Sequence, residues 1–334
     1  MPKRSIQQRY QSLGKVRKNS TAFKGARLQQ RSKKIIVCKN SGQQPVILIK
    51  TVRTGIHSKK ILRNLEIDFS QNYKIETIQD QVFQGVYTSI TLRSNDDAMM
   101  RVFFQVMESF LKNLVIPIKD DDLEIKLNKL IEIFQNLQID TGGTPQGLWA
   151  ELFLISLSKN ISQSVEYWHQ DENTASLYDF SKGNYHVEVK STLSKFRKHG
   201  FSLDQSHPNK SFTVVIASFL LEKDDQGTSI DDLMKKIKAS LKKSKPELLI
   251  KFDDICIKTL GNKFKDSIHR AFNEKYAEEE LLFFDIEDIP NIDELYLFES
   301  GISKVKFTSD LGFASPVKKA EYKKKSQLFR NFLV

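Results

Sequence analysis

The sequence predicts an α/β protein. Three observations carry that reading: a series of short β-prone runs from residue 35, two apolar-periodic helices after them, and a second succession of helix and strands beyond a Gly/Pro-rich break at 141–147. A chain of 334 residues with 40% hydrophobic content can bury a substantial core and is long enough for more than one structural unit. Its two cysteines, Cys38 and Cys256, form no CxxC pair and no Cys/His cluster, so neither a disulfide framework nor a structural zinc site is expected. The N-terminus has no apolar h-region and no apolar run is long enough to span a bilayer, which points to a cytoplasmic protein with no membrane partner.

Residues 1–34 mix Lys, Arg, Gln, Ser and Gly, and read as a weakly ordered basic arm. The net charge of +11 is polarised. Met1 to Leu65 carries 17 basic and no acidic side chains, whereas the remainder has 35 basic against 41 acidic ones. Such an arm gains affinity for a polyanion by releasing counterions, and its bland alternative is a solvated tail. Residues 35–140 follow as a β-rich unit with two helices. IIVC, PVILIKTV, LEIDFS, YKIETI and VYTSITLR are strands, AMMRVFFQVMESFLKNL is a helix opened by Asn95-Asp96-Asp97, and LEIKLNKLIEIFQNL is a second helix after an acidic turn. Residues 144–243 form a core with the helix LWAELFLISLSKN, the strands SVEYWH, SLYDF, YHVEVKS and FTVVIASFLL, and the helix IDDLMKKIKASLKK. Residues 244–334 read as a mixed C-terminal α/β unit.

The run from Ser176 to Lys190 consists of two alternating stretches about a turn-forming Ser-Lys-Gly-Asn, the pattern of a β-hairpin. Pairing Phe180 with Tyr185 puts Asp179 opposite His186 and Tyr178 opposite Val187. Tyr178, Phe180, Tyr185, Val187 and Val189 then share one face, and Asp179, His186, Glu188 and Lys190 the other. Diagonal neighbours lie about 7 to 8 Å apart between α-carbons, so Asp179 and Glu188 can converge on one cation. Hard Mg2+ prefers carboxylate and water oxygens, with Mn2+ as a substitute, and would suit phosphodiester hydrolysis. Lys190 adds a compact positive charge for the attacking water or the phosphate, and the main-chain carbonyl of Val189 is a further candidate ligand. Glu151, the only charged side chain between Gly147 and Lys159, borders the inward stripe of its helix and can be carried to the same site. His186 is a candidate for contact with substrate or metal, or a cross-strand partner of Asp179. Lys195, Arg197, Lys198 and His199 can track a nucleic-acid backbone or face water as a solvated loop. Taken alone, an ExK spacing is a common surface ion-pair pattern; the combination with Asp179 and Glu151 is what points to chemistry. Walker, GxGxxG and GxSxG motifs do not occur, which leaves ATPase, dinucleotide-binding and α/β-hydrolase readings without support.

GLWAELFLI, YDFSKGNYHVEVKST and RKHGFSLDQ together resemble an uncharacterised bacterial family of candidate PD-(D/E)XK nucleases from defence gene clusters. The resemblance implies a restriction-endonuclease-like core, Mg2+, a DNA substrate and a role beside restriction or anti-phage genes, with other defence-system proteins as partners. It matches Glu151 to the helical acid, Asp179 to the motif's aspartate, Glu188 and Lys190 to its (D/E)XK, and Gln205 to a polar residue that assists the site. The segment from Leu193 to Ser211, with Gly200 and Pro208, departs from the crossover helix usual at that place. The expectation is therefore a Mg2+-dependent DNA endonuclease. RNA as substrate and a non-catalytic nucleic-acid-binding or assembly subunit stand as alternatives, and the oligomeric state stays open.

Overall fold

A computed structural model describes residues 4–18, 20–29, 32–79, 81–168, 177–292 and 304–333; His169 and Ser176, the end of one expected strand and the start of another, lie outside the described residues. The chain divides into two compact units, residues 1–139 and 140–334, and its architecture is mixed α/β. Among the described residues no helix is long and apolar enough to cross a membrane.

The first unit runs α1 (Ile6–Gln11), β1 (Phe23–Gln29), β2 (Ser32–Lys39), β3 (Pro45–Ile49), β4 (Thr51–Val52), β5 (Lys60–Ile61), β6 (Leu65–Thr77), β7 (Val82–Leu92), α2 (Asp97–Lys112), β8 (Ile118–Lys119) and α3 (Asp120–Asn136). Its six-stranded sheet has the order β1-β2-β3-β7-β6-β5, and a parallel pairing of β1 with β6 closes it on itself. Gly25 lies on the inner side of the closure, where a Cβ would come within 2.8 Å of Ile75 and 2.9 Å of Ile36; only glycine fits. The expected split between LEIDFS and YKIETI is a bulge, for β6 runs through both, with Ser70 at φ 46° where the register to β7 shifts. Asp96 caps α2 by accepting from Met99 N at 2.8 Å, and the acidic turn becomes the first turn of α3, where negative charge suits the helix dipole.

The stretch expected as a weakly ordered arm is part of this unit. Ser5 and Gln8 form a capping box on α1, Ile6, Tyr10, Leu13 and Val16 are buried, and β1 is a strand of the sheet. Composition misled because four apolar side chains at near-helical spacing suffice to anchor a segment whose other residues are polar.

The second unit contains α4 (Pro145–Leu157), α5 (Ile161–Tyr167), β9 (Phe180–Lys182), β10 (Tyr185–Thr192), β11 (Lys198–Ser202), α6 (Leu203–Ser206), β12 (Thr213–Leu220), β13 (Lys223–Ser229), α7 (Ile230–Ser244), α8 (Leu248–Leu260), α9 (Phe264–Ser267), β14 (Ala271–Phe272), α10 (Glu274–Glu279), β15 (Leu282–Asp285), β16 (Lys306–Asp310), α11 (Lys319–Lys325) and α12 (Gln327–Phe332). Its central sheet has the order β15-β12-β10-β9, antiparallel at both edges and parallel between β10 and β12. Because β15 pairs with β12 and β16 with β11, residues 244–334 do not stand as a separate unit. SVEY, expected as part of a strand, is helical: Asn160 caps α5 through Gln163 N, and Trp168 after it meets the sheet by a single bridge to Phe180, while Lys182 of β9 donates to the Tyr167 hydroxyl at 2.8 Å. The crossover from β10 to β12 holds β11 and the short α6 in place of a long helix.

Thr144 caps α4 and Pro145 opens it, the position at which a missing N–H costs nothing. Leu148 through Ile155 are all buried, so α4 lacks the polar face expected of a surface helix and lies inside the unit.

Candidate active site

The hairpin of β9 and β10 turns on Gly183 and Asn184. Gly183 has φ 59°, a conformation glycine adopts without strain at the first central position of a two-residue turn. Tyr185 faces Lys182, His186 faces Ser181 and Val187 faces Phe180, a register two residues tighter than the expected pairing of Phe180 with Tyr185. A slip of two residues preserves the side-chain faces. His186, Glu188 and Lys190 therefore share one side of β10, above Val214, Ile216 and Ser218 of the parallel neighbour, and Val187 shares the other side with Phe180.

That shared side is not an open polar surface. Tyr178 leaves the face expected for it and joins Phe201, Val214, Ile216, Phe284 and Leu311 in an apolar cluster. His186 is buried, 5.0 Å from the Tyr178 ring and 4.5 Å from that of Phe212, with Nδ1 at 2.9 Å from Ser181 Oγ. Its surroundings are those of a core histidine. Toward the C-terminal end of β10 the polar groups gather. Lys190 Nζ lies 2.7 Å from Glu188 Oε1, Gln205 Nε2 donates to the same oxygen at 2.9 Å, and Lys190 Nζ donates to Gln205 Oε1 at 3.4 Å. The ammonium also stands 4.9 Å from the Phe201 ring centroid, a favourable cation–π position.

Gln205 is placed by its own short helix. Ser202 Oγ accepts from Gln205 N at 3.2 Å, Gln205 Oε1 accepts from Ser202 N at 3.3 Å, and Gln205 Nε2 also donates to Leu177 O at 3.0 Å. The Tyr178 hydroxyl donates to Gln205 O at 3.1 Å. One side chain thus links the segment before Asp179 to Glu188 and Lys190.

Asp179 stands just before β9. Its Oδ2 accepts from Val189 N at 2.7 Å, in the role of a strand carbonyl at the point where the β9–β10 ladder ends. Burial, followed by the charges of Glu188 and Glu151, holds its carboxyl well above the usual carboxylate range, against the Val189 N–H and Lys190. Glu151 reaches this region from the helical side. It is buried in α4, and the Trp168 indole N–H donates to its Oε2 at 2.7 Å. Trp168, stacked 6.4 Å from Phe180, is a positioning residue that sequence reasoning missed, because the strand assigned to SVEYWH hid it. An Asn-capped heptad ending in a tryptophan was the available signal.

Arg197 and His199, expected along a nucleic-acid backbone, are turned inward. Arg197 Nη1 donates to Ser218 O and Oγ at 2.9 and 3.1 Å, and Nη2 to Glu280 O and Oε2 at 2.5 and 3.1 Å. His199 Nε2 lies 2.8 Å from Ser218 Oγ, and burial, with Lys190 and Arg197 nearby, lowers its pKa to about 4. Alternation running from Arg197 into β11 buries Arg197 and His199 and leaves Lys198 exposed; Lys195 is exposed in the loop before them.

The residues fit a divalent cation. Asp179 and Glu188 bring two carboxyls together where the β9–β10 ladder ends, and after burial itself the charge of Glu188 is the next cause that raises the Asp179 pKa. Among the described residues no three His, Cys, Asp or Glu side chains converge as a ready-made ligand cage. Mg2+ does not require one, since it keeps several waters and takes one or two protein carboxylates.

A family model matches residues 6–312, and the family, DUF4420, carries the description "Putative PD-(D/E)XK family member". No curated protein and no solved structure matches the chain.

Proposed function

The chain belongs to the DUF4420 family, and from that premise we propose that it is a metal-dependent nuclease that cleaves DNA in restriction or anti-phage defence. The observation that carries the reading is the Glu188–Lys190–Gln205 group set against the carboxyl of Asp179 at one end of β10. Asp179, Glu188 and the main-chain carbonyl of Val189 would hold Mg2+ or Mn2+, which when bound supplies Lewis acidity at the phosphate and acidifies a water. Lys190 supplies a positive charge beside the scissile phosphate, and Gln205 fixes the direction of both Lys190 and Glu188. Glu151, oriented by Trp168, adds a carboxylate behind Asp179 that favours a cation at this end of the strand. Lys195 and Lys198 are exposed and suited to phosphate contacts.

Incubation of plasmid DNA with Mg2+ or Mn2+ tests the reading: the wild type nicks or linearises it, and Glu188→Ala and Lys190→Ala do not. Equal activity in all three, or none in any, overturns it. A second reading, a non-catalytic nucleic-acid-binding or assembly subunit, draws support from Glu188 already being engaged by Lys190 and Gln205. It predicts salt-sensitive DNA binding that survives Asp179→Ala with no cleavage by the wild type.

A further inference from the structure

Large exposed apolar side chains are few in the second unit, and they are not scattered. Among the described residues of 140–334 they are Leu177, Leu193, Phe196 and Phe313. Leu177 stands two residues before Asp179 and gives its carbonyl to Gln205, and Leu193 follows Lys190 by three residues. Phe196 and Phe313, 65% and 85% exposed, flank the paired strands β11 and β16. The two phenylalanines are neighbours by backbone. Lys198 faces Asp310 at the end of the ladder, and Leu311 N donates to Arg197 O at 3.0 Å before Leu311–Phe313 turns off as a short 3-10 helix, so Phe196 and Phe313 leave the same end of the β11–β16 pair. Apolar surface grouped in this way marks an interaction site, whereas single exposed residues carry no such meaning.

We propose that Phe196 and Phe313, at one end of the β11–β16 ladder whose Phe201 carries Lys190, form a stacking platform for unpaired nucleobases, so that the preferred substrate is nucleic acid with single-stranded character. The proposal rests on the nuclease reading and narrows its substrate. Charge favours a nucleic acid over an apolar protein surface. Lys195 and Lys198 are exposed beside the rings, with the Lys198 ammonium 5.7 Å from the Phe196 centroid. The acidic neighbours are engaged: Asp310 Oδ1 accepts from Gly312 N at 3.0 Å, and Glu280 is paired with Arg197. The segment is held in place from below, since Arg197 is fastened to Ser218 and Glu280. Rings fixed on an ordered backbone stack without a large ordering cost. A base in a duplex already has both faces covered by its neighbours, so rings of this kind gain contact only from unpaired or everted bases.

Fluorescence anisotropy with the full chain in EDTA, where cleavage is absent, tests the platform with short oligonucleotides: single-stranded DNA, single-stranded RNA, and a blunt duplex of the same sequence. The wild type binds a single strand more tightly than the duplex; the DNA and RNA arms identify the polymer. Phe196→Ala and Phe313→Ala each weaken single-strand binding by about fivefold or more and leave duplex binding within about twofold, and Phe196→Trp restores it. A 2-aminopurine base in the strand changes fluorescence on binding to wild type but not to Phe196→Ala. Tighter duplex binding, equal weakening on both substrates, or no effect of either substitution overturns the platform. Phe196-dependent single-strand binding without cleavage in Mg2+ or Mn2+ would sink the nuclease reading alone. Cleavage with no dependence on Phe196 or Phe313 would sink the platform alone.

Discussion

Two acid–lysine pairs of the second unit, Asp253 with Lys238 and Glu188 with Lys190, are alike in chemistry and unlike in surroundings: the first is buried on both sides, the second has a half-buried lysine. Lys238 of α7 engages both oxygens of Asp253 in α8, at 2.7 and 2.8 Å, within a helical layer where Asp253 is only 1% exposed. Lys190 divides one ammonium among Glu188, Gln205 and the Phe201 ring, and Glu188 Oε1 receives both Lys190 and Gln205. In the first pair both carboxylate oxygens meet one ammonium, which joins two helices. The second is shared among several partners at a strand end, beside a carboxyl whose pKa is already raised. A shared arrangement can redirect its charge toward a substrate; the Lys238–Asp253 pair cannot without losing the helix contact.

The sharpest way to break this contrast is to remove one member of each pair. Asp253→Ala leaves Lys238 buried without its bidentate partner and lowers stability by about 3 to 5 kcal/mol, read from urea unfolding, whereas Asp253→Leu with Lys238→Met comes back close to wild type. A small loss in the single variant would mean that the Lys238–Asp253 pair is no more than a surface bridge. Lys190→Ala lowers kcat by about 10² to 10³, roughly 3 to 4 kcal/mol in the barrier, while its unfolding midpoint moves by the equivalent of about 1 kcal/mol or less. Comparable unfolding in Asp253→Ala and Lys190→Ala would erase the distinction. Trp168→Phe keeps the aromatic packing but removes the donor to Glu151, and costs about 1.5 to 3 kcal/mol in thermal unfolding, with a fall in cleavage that Trp149→Phe does not reproduce at the site. Smallest of all, Lys195→Ala and Lys198→Ala each reduce the salt slope of DNA binding by about 1 and leave stability unchanged. A larger effect from either would move the anion-binding surface to this loop.

The two pairs also differ in how far the sequence announces them. Glu188 and Lys190 are two residues apart on an alternating run, so parity alone places them on one face, and the face survives a turn two residues tighter than expected. Gln205 comes beside them only through the crossover, for which the family resemblance, and no spacing rule, was the guide. Lys238 and Asp253 lie on different helices, and nothing in the pattern of α7, whose other lysines face outward, singles Lys238 out. Helices α2 and α7 were legible because apolar periodicity and caps agree, α3 through its periodicity after an acidic turn, and α4 through the Gly/Pro break and the Thr144–Pro145 start before an apolar run. The inward turn of Arg197 and His199 was hidden for the opposite reason. Charge content predicts exposure, and the partner that reverses it, Ser218, belongs to a strand whose register the sequence does not reveal.

The crossover also has a history in time. Strand β11 finds its partner in β16, Lys198 against Asp310, and Leu203 at the head of α6 donates to Val305 O at 3.0 Å. A ribosome delivers Glu188 and Lys190 long before it delivers that partner, and long-range pairings form after local ones. The nascent chain therefore carries Glu188 and Lys190 before the strand that pairs with the crossover bearing Gln205. The Glu188–Lys190–Gln205 cluster is completed only late in synthesis.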